Sequence, residues 1–230
     1  MGSGLILDDT GHKMSKSSTN GVSPMEVIEK YGCDAARLHV HFLAGYEDNT
    51  PWTYDGINGI TSFLDKVYNL KNMINGEEVS NKHIYEINNL IKKVTEDIES
   101  LKLNTSIAAF MSFIKMIKED GYISKEEFRI FTILLNPLAP HITSEIFENV
   151  FNEDILNANW PKYDEKYLEK SEISLPIQIN GKMKKTINVD KEINEENLLE
   201  KIKKQYSELI VGEIKKVIYI KGKIINIIVK

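Results

Sequence analysis

The sequence predicts an α+β protein of several modules, with an antiparallel helical bundle followed by a small domain of order strand, strand, helix, strand, strand. Two observations predict this class. Apolar residues recur at helical spacing through residues 55–151, and they alternate with polar residues from residue 173 onward. We therefore expect a first segment of residues 1–54, a bundle of residues 55–160 and a C-terminal domain of residues 161–230.

The first segment is predicted to hold two helices. Ser23-Pro24 indicates a helix start, because serine can cap a helix and proline suits its first position. Glu26 would complete a capping box with Ser23. A second helix is expected over about residues 33–44, ended by Gly45, and an aromatic loop follows it.

The bundle carries the clearest periodic pattern in the chain. A helix is expected over about 55–74, and the next one has apolar residues spaced alternately by three and four, at Ile84, Ile87, Ile91, Val94, Ile98 and Leu101. The following helix repeats the pattern until Gly121. Ser124 and Glu127 predict a capping box for another helix, which Pro137 and Pro140 should interrupt. Such helices typically pack lengthwise against each other.

The C-terminal domain is predicted from strand patterns. Strict alternation runs through Ile173, Leu175, Ile177 and Ile179. Asn180-Gly181 is a strong signal for a two-residue hairpin turn. Asn194 should cap a helix over about 195–210, and two last strands should pair around Gly222.

Composition restricts the class of protein. Of 230 residues, 42% are hydrophobic, and no apolar run is long enough for a membrane span. Cys33 is the single cysteine, which indicates a reducing compartment and a cytoplasmic location. The net charge of −5 is unevenly distributed: residues 162–230 hold 15 lysines against 11 acidic residues, whereas the rest of the chain is acidic. A basic tail is compatible with phosphate binding, although an ordinary solvated surface is the simpler explanation of the charge alone.

Two lysines and two serines lie together near the start of the chain, in Lys13-Met14-Ser15-Lys16-Ser17. Ammonium groups and the N–H and O–H groups of such a loop are donors that suit a polyphosphate. The stretch resembles the KMSKS signature loop of class I aminoacyl-tRNA synthetases. The residues that follow, including Trp160-Pro161 and Gln178-Ile179-Asn180-Gly181-Lys182, look like the C-terminal part of the bacterial leucyl-tRNA synthetases, from about residue 5 to residue 230.

The resemblance implies ATP-dependent activation of leucine and its transfer to tRNA(Leu), with ATP and Mg²⁺ bound by the complete enzyme. Lys16 is the implied catalytic residue, because a positioned ammonium stabilises negative charge on the leaving pyrophosphate. The implied ATP-binding residues are Lys13, Met14, Ser15, Lys16 and Ser17. The chain departs from the family pattern at Ser18-Thr19, where the family has a lysine and a glycine, so loop mobility and phosphate contact are expected to differ.

Other parts of the family's active site have no counterpart in the sequence. The family pairs the loop with a His-x-Gly-His motif, whereas His12 is the only histidine before the loop and has no second histidine at that spacing. We therefore interpret the chain as a C-terminal fragment that is inactive alone and binds no cofactor by itself. His39 and His41 lie two apart on a helix and face different directions, so no metal site is expected.

The basic tail provides candidate RNA contacts. In the family this domain reaches the elbow of the tRNA, and the bundle packs along the anticodon stem. Lysines at the two predicted hairpins are the candidates, expected at strand ends on one side: Lys182, Lys184, Lys185, Lys221 and Lys223. Protection of sheet edges explains any single lysine equally well. Trp52 and Trp160 could likewise stack on bases or simply pack.

Two other functions are compatible with the same sequence. The chain could be a stand-alone, non-catalytic tRNA-binding or regulatory paralogue of a synthetase, or a protein-interaction bundle that binds no RNA. Salt-dependent binding of tRNA would distinguish the first two interpretations from the third. We expect neither DNA nor a membrane as a partner.

Overall fold

The structure is a computed structural model that describes residues 3–15, 20–169, 172–191 and 193–230. The chain divides into two compact units, Met1–Leu168 and Glu169–Lys230. Helices dominate the first unit, and the second combines strands with a helix, so the predicted mixed class is confirmed. Among the described residues, no helix is both long and apolar enough to cross a membrane.

The first unit is built mainly from helices. They are α1 (Pro24–Tyr31), α2 (Cys33–Leu43), α3 (Ile57–Asn69), α4 (Ile84–Glu99), α5 (Leu103–Asp120), α6 (Lys125–Leu135) and α7 (Pro140–Phe151). Two short strands, β1 (Ile6–Leu7) and β2 (Thr50–Pro51), pair in parallel near the start of the chain. Short 3₁₀ turns follow α3 and α7.

One hydrophobic core joins these helices. Phe110 and Phe131 are fully buried and pack edge to face, with ring centroids 5.2 Å apart. Ala35 and Leu38 of α2 belong to the same core. The second predicted helix therefore packs with the bundle, because its apolar face is buried by the helices that follow.

Of the two predicted capping boxes, the one at α6 is present and the one at α1 is not. At α6 the capping box is confirmed: Glu127 N–H donates to Ser124 Oγ at 3.1 Å, and Ser124 N–H donates to Glu127 Oε2 at 2.8 Å. At α1, Pro24 does occupy the first turn, but the Ser23 side chain accepts no capping hydrogen bond. The capping box predicted with Glu26 is wrong, and burial of Val27 anchors this helix instead.

Residues 161–168 are part of the first unit. Asp164 N–H donates to Asn88 Oδ1 of α4 at 2.7 Å, and Lys92 Nζ lies 5.9 Å from the centre of the Tyr163 ring. These contacts place the change of unit after Leu168, whereas the sequence suggested a boundary after residue 160. The polar composition of this segment does not reveal its hydrogen bonds to α4.

The second unit is a four-stranded sheet with one helix. Its elements are β3 (Glu172–Ile179), β4 (Lys182–Asp190), α8 (Glu195–Gln205), β5 (Ile214–Ile220) and β6 (Ile224–Val229). The strand order is β4-β3-β6-β5; the outer pairs are antiparallel, and the central pair is parallel. Leu198 and Ile202 of α8 are fully buried against the sheet. The helix ends at Gln205, five residues earlier than predicted, and a 3₁₀ turn follows.

The predicted hairpin turn after β3 is confirmed. Asn180 and Gly181 have φ angles of 50° and 79°, as a type I′ turn requires. The turn is also tied to β6, because Asn180 Nδ2 donates to the Val229 carbonyl and Val229 N–H donates back to Asn180 Oδ1, at 3.1 and 3.0 Å. The hairpin is thus held by the parallel neighbour as well as by its own strands.

Candidate functional site

The loop with the two lysines lies partly within the described residues. Lys13, Met14 and Ser15 are described, whereas Lys16 and Ser17 lie outside. Lys13 forms an isolated antiparallel bridge with Leu7, which connects the loop to β1. The side chains of Lys13 and Ser15 are exposed, and Met14 is half-buried. The backbone therefore presents one lysine and one serine to solvent at this end of the loop.

Asp8 organises the turn before this loop. Its Oδ1 accepts hydrogen bonds from Thr10 N–H, Thr10 Oγ1 and His12 N–H at 3.0, 2.8 and 2.8 Å. Its Oδ2 accepts one from Asn20 Nδ2 at 2.7 Å. The Asn20 hydrogen bond, followed by those from His12 and Thr10, holds the pKa of the Asp8 carboxyl well below its ordinary value. Asp8 therefore stays ionised.

Asn20 connects the two ends of the loop. Besides its bond to Asp8, its Nδ2 donates to the Lys13 carbonyl at 3.4 Å. Its Oδ1 accepts from Ser15 N–H, also at 3.4 Å. One amide side chain thus contacts the backbone on both sides of Met14.

Met14 points to a different environment from its neighbours. It lines an apolar cavity of about 190 Å³ together with Ile6 of β1, Val27 of α1 and Trp52. Since a thioether is a poor phosphate ligand, its place in this cavity favours an anchoring role. The side chains of Lys13 and Ser15, by contrast, are exposed and carry the donor groups that suit phosphate oxygens.

The candidate RNA-binding lysines of β4 are exposed. Lys182, Lys184 and Lys185 lie on an edge strand, and the Lys185 Nζ is 4.3 Å from the centre of the Tyr206 ring. Lys201 of α8 donates through Nζ to the Asn188 carbonyl of β4 at 3.0 Å. Lys201 was not among the predicted lysines, although its place beside the buried Ile202 on an amphipathic helix is a signal in the sequence.

The other pair of candidate lysines lies elsewhere on the sheet. Because β3 and β6 are parallel, the turn after β3 and the turn before β6 point to opposite ends. Lys182 pairs with Ile179 of β3, and Ile179 pairs with Ile227 of β6. Lys223 precedes Ile227 by four residues, so Lys182 and Lys223 are separated by about 13 Å measured along the strands. The expectation that both sets lie at strand ends on one side is therefore wrong, and only the β4 set has further lysine support from α8.

The edge-protection explanation also has structural support. The register of β4 against β3 shifts between Ile177 and Gln178, which indicates a bulge next to Lys184 and Lys185. Bulges and lysines both discourage pairing with another chain. The two roles of these lysines are thus compatible in one strand.

Both tryptophans are held by packing. Trp52 contacts His39 and Tyr54 edge to face, at 4.9 and 5.6 Å between ring centroids. Trp160 Nε1 donates to Thr95 Oγ1 at 2.9 Å, which fixes the indole against α4. These contacts favour packing over base stacking for both rings.

The class of protein follows from two matches to known families. Residues 82–200 match the family described as the anticodon-binding domain of tRNA ligase, and residues 1–52 match the class I tRNA synthetases of the I, L, M and V group. The chain belongs to the anticodon-binding domain family of tRNA ligases.

Two similar proteins are both leucine–tRNA ligases. A leucine–tRNA ligase of Alkaliphilus oremlandii is 36% identical over 232 residues, which cover 99% of this chain and 29% of that protein. A leucine–tRNA ligase of Borreliella burgdorferi is 39% identical over 229 residues, 95% of this chain and 27% of that protein. The predicted resemblance to leucyl-tRNA synthetases is confirmed, and the chain spans less than a third of these relatives' length.

A solved structure also matches almost the whole of this chain. It is an Agrobacterium radiobacter LeuRS in a ternary complex with tRNA and LeuAMS, with a TM-score of 0.68 and 28% identity, covering 99% of this chain and 32% of that chain. A methionyl-tRNA synthetase of Mycobacterium tuberculosis matches 64% of this chain with a TM-score of 0.51, and at 15% identity it shows a shared fold only.

Proposed function

We propose that the chain acts as the tRNA-binding C-terminal part of a leucine–tRNA ligase. The observation that carries this proposal is the match to leucine–tRNA ligases along almost all of the chain. In this proposal residues 1–54 belong to the catalytic region, residues 55–160 are a bundle of the class I anticodon-binding type, and the following strands and helix form a small ββαββ tRNA-binding domain.

The complete ligase activates leucine with ATP and Mg²⁺ and transfers it to tRNA(Leu). ATP supplies the anhydride bond that is broken in leucine activation. Lys13 and Ser15 contact phosphate oxygens at the near end of the loop, and Lys16 stabilises the leaving pyrophosphate. The 230 residues lack the histidine motif and the leucine pocket, so this chain alone does not catalyse the exchange of pyrophosphate into ATP.

The RNA-binding face of the second unit centres on β4. Lys182, Lys184 and Lys185 are exposed along one edge, and Lys201 adds a fourth ammonium group from α8. Contacts between lysines and phosphates position an RNA and carry little sequence information. Lys221 and Lys223, at the other end of the sheet, make at most a secondary contact.

Salt-dependent binding of a tRNA(Leu) transcript tests this face. Removing one lysine that binds a phosphate should flatten the plot of log affinity against log salt by about 0.7 to 0.9. Replacing Lys182, Lys184 and Lys185 together by Ala should therefore reduce the slope by about one to three units. Fluorescence anisotropy of a labelled transcript measures both affinity and slope.

The matched control removes the same charge from another edge of the same unit. Lys215, Lys216 and Lys230 are also exposed, and their replacement by Ala should leave most of the slope intact. If the β4 variant keeps the wild-type affinity and slope, its lysines protect the edge and do not bind RNA. Equal flattening in both variants would mean that no localised face exists.

A further inference from the structure

Asp8 and Asn20 form a clamp across the loop that carries Lys13 and Ser15. Their side chains are joined by the 2.7 Å hydrogen bond from Asn20 Nδ2 to Asp8 Oδ2. From this junction Asn20 reaches the Lys13 carbonyl and Ser15 N–H, and Asp8 reaches the backbone of Thr10 and His12. The clamp is thus hydrogen-bonded to the backbone of the preceding turn and to that of Lys13 and Ser15.

The position of Asp8 is electrostatically unfavourable for a phosphate site. A carboxylate close to a polyphosphate repels it. Asp8 is only 8% exposed, and each of its oxygens accepts hydrogen bonds from its own turn or from Asn20. Asp8 therefore serves this site by holding the backbone in place through its hydrogen bonds, and not by attracting the ligand through its charge.

We propose that Asp8 and Asn20 are positioning residues for polyphosphate binding by Lys13 and Ser15. This inference rests on the proposed function, which supplies the triphosphate of ATP as the ligand. Neither residue touches the phosphate. They fix the backbone of Lys13 and Ser15 beforehand, so that less conformational freedom is lost when the phosphate binds.

Inorganic tripolyphosphate is a suitable probe for this chain. Its binding is measured from the amide chemical shifts of Lys13 and Ser15 during a titration. Loss of a hydrogen bond that holds the binding residues should weaken binding by about three- to tenfold in Asn20→Ala. Tryptophan fluorescence confirms that the variant remains folded, because Trp52 and Trp160 both lie in the same unit as the loop.

A charge-matched pair separates positioning from electrostatics. Asp8→Asn and Asp9→Asn each remove one negative charge beside the loop, but Asp9 is exposed. Electrostatics alone predicts tighter binding in both variants. The clamp predicts weaker binding in Asp8→Asn, because the new amide would present a donor to the Asn20 donor, and equal or tighter binding in Asp9→Asn.

An exchange of the two side chains provides a rescue. The double variant Asp8→Asn with Asn20→Asp restores one donor facing one acceptor at the same net charge as the wild type. Tripolyphosphate binding should be tighter than in Asp8→Asn alone, because the junction and the acceptor for Ser15 N–H are kept, but weaker than in the wild type, because the exchange removes the Asn20 donor to the Lys13 carbonyl. Failure of this rescue in a folded double variant would overturn the inference.

The remaining outcomes are also decisive. If Asn20→Ala binds tripolyphosphate as tightly as the wild type, the clamp has no positioning role, and the proposed function is unaffected. If the wild-type chain does not shift at all, the phosphate role of Lys13 and Ser15 falls, and the inference falls with it. Binding of tRNA(Leu), measured separately, then decides whether the proposed function survives.

Discussion

His83 should be the most sensitive polar position in the helical unit. It is completely buried, with Nδ1 3.0 Å from Glu127 Oε2 and Nε2 3.1 Å from Asp120 Oδ2. A carboxylate oxygen lies within hydrogen-bond distance of each ring nitrogen. The ring also stacks on Tyr122, with centroids 4.8 Å apart. This arrangement ties the start of α4 to the end of α5 and the start of α6.

The cost of His83→Ala can be worked from these contacts. Each charge-assisted hydrogen bond contributes about 1.5–3 kcal/mol. Glu127 is fully buried but keeps the Ser80 and Ser124 N–H groups as donors, and Asp120 keeps Lys82, so neither bond belongs at the top of that range. The expected loss is about 3–5 kcal/mol of unfolding free energy.

Urea unfolding followed by tryptophan fluorescence measures this loss. Both tryptophans lie in Met1–Leu168, so the signal reports on the unit that contains His83. The midpoint should fall by about 1–5 M for an m value near 1–3 kcal/mol/M. His12→Ala is the control, because the His12 side chain is 80% exposed and should contribute less than about 0.5 kcal/mol. A loss below about 1 kcal/mol for His83→Ala would refute the reasoning.

Three further predictions concern other sites. The buried Asp34 accepts hydrogen bonds from the first N–H groups of α7. Asp34→Ala should therefore lower the unfolding free energy, measured with urea, by about 1–3 kcal/mol. An unchanged free energy would show that water replaces the carboxylate. Partial desolvation raises the pKa of the exposed Glu126 carboxyl, Arg129 opposes this shift and Glu153 adds to it, so Glu126→Gln should stabilise the unit slightly at pH 7. This gain should vanish as the pH falls below the ordinary value of 4.5, where both states become protonated; a gain independent of pH would contradict the desolvation argument. In a complete ligase carrying this segment, Lys16→Ala should slow leucine activation by about 10²–10³-fold with little change in leucine affinity, and a change below about threefold would mean that other groups stabilise the pyrophosphate.

Local rules were sufficient for much of the fold. The repeat of three and four places α4 over Ile84–Glu99, and Asn180-Gly181 forms the predicted turn, because both patterns depend on neighbours in sequence. The parallel pairing of β3 with β6 was not predictable in this way. It joins strands separated by a helix and depends on how α8 packs on the sheet, so the predicted position of Lys221 and Lys223 relative to the β4 lysines was wrong.

The candidate site shows the same division. The loop residues were recognisable because they form a contiguous motif. The roles of Asp8 and Asn20 were not, since they are 12 residues apart and depend on side chains that meet only in the folded turn. Asp8 in Asp-Asp-Thr-Gly does carry a local signal, because aspartate at the start of such a turn often accepts N–H groups two and more residues later.

Direct binding of tRNA(Leu) to the wild-type chain tests the central claim most simply. A labelled transcript is titrated with the chain at about 50 mM and about 200 mM salt. The proposal predicts saturable binding at the lower salt that weakens steeply at the higher, because lysine–phosphate contacts release counterions. No binding at the lower salt, or binding with no dependence on salt, would contradict a tRNA-binding role for this chain.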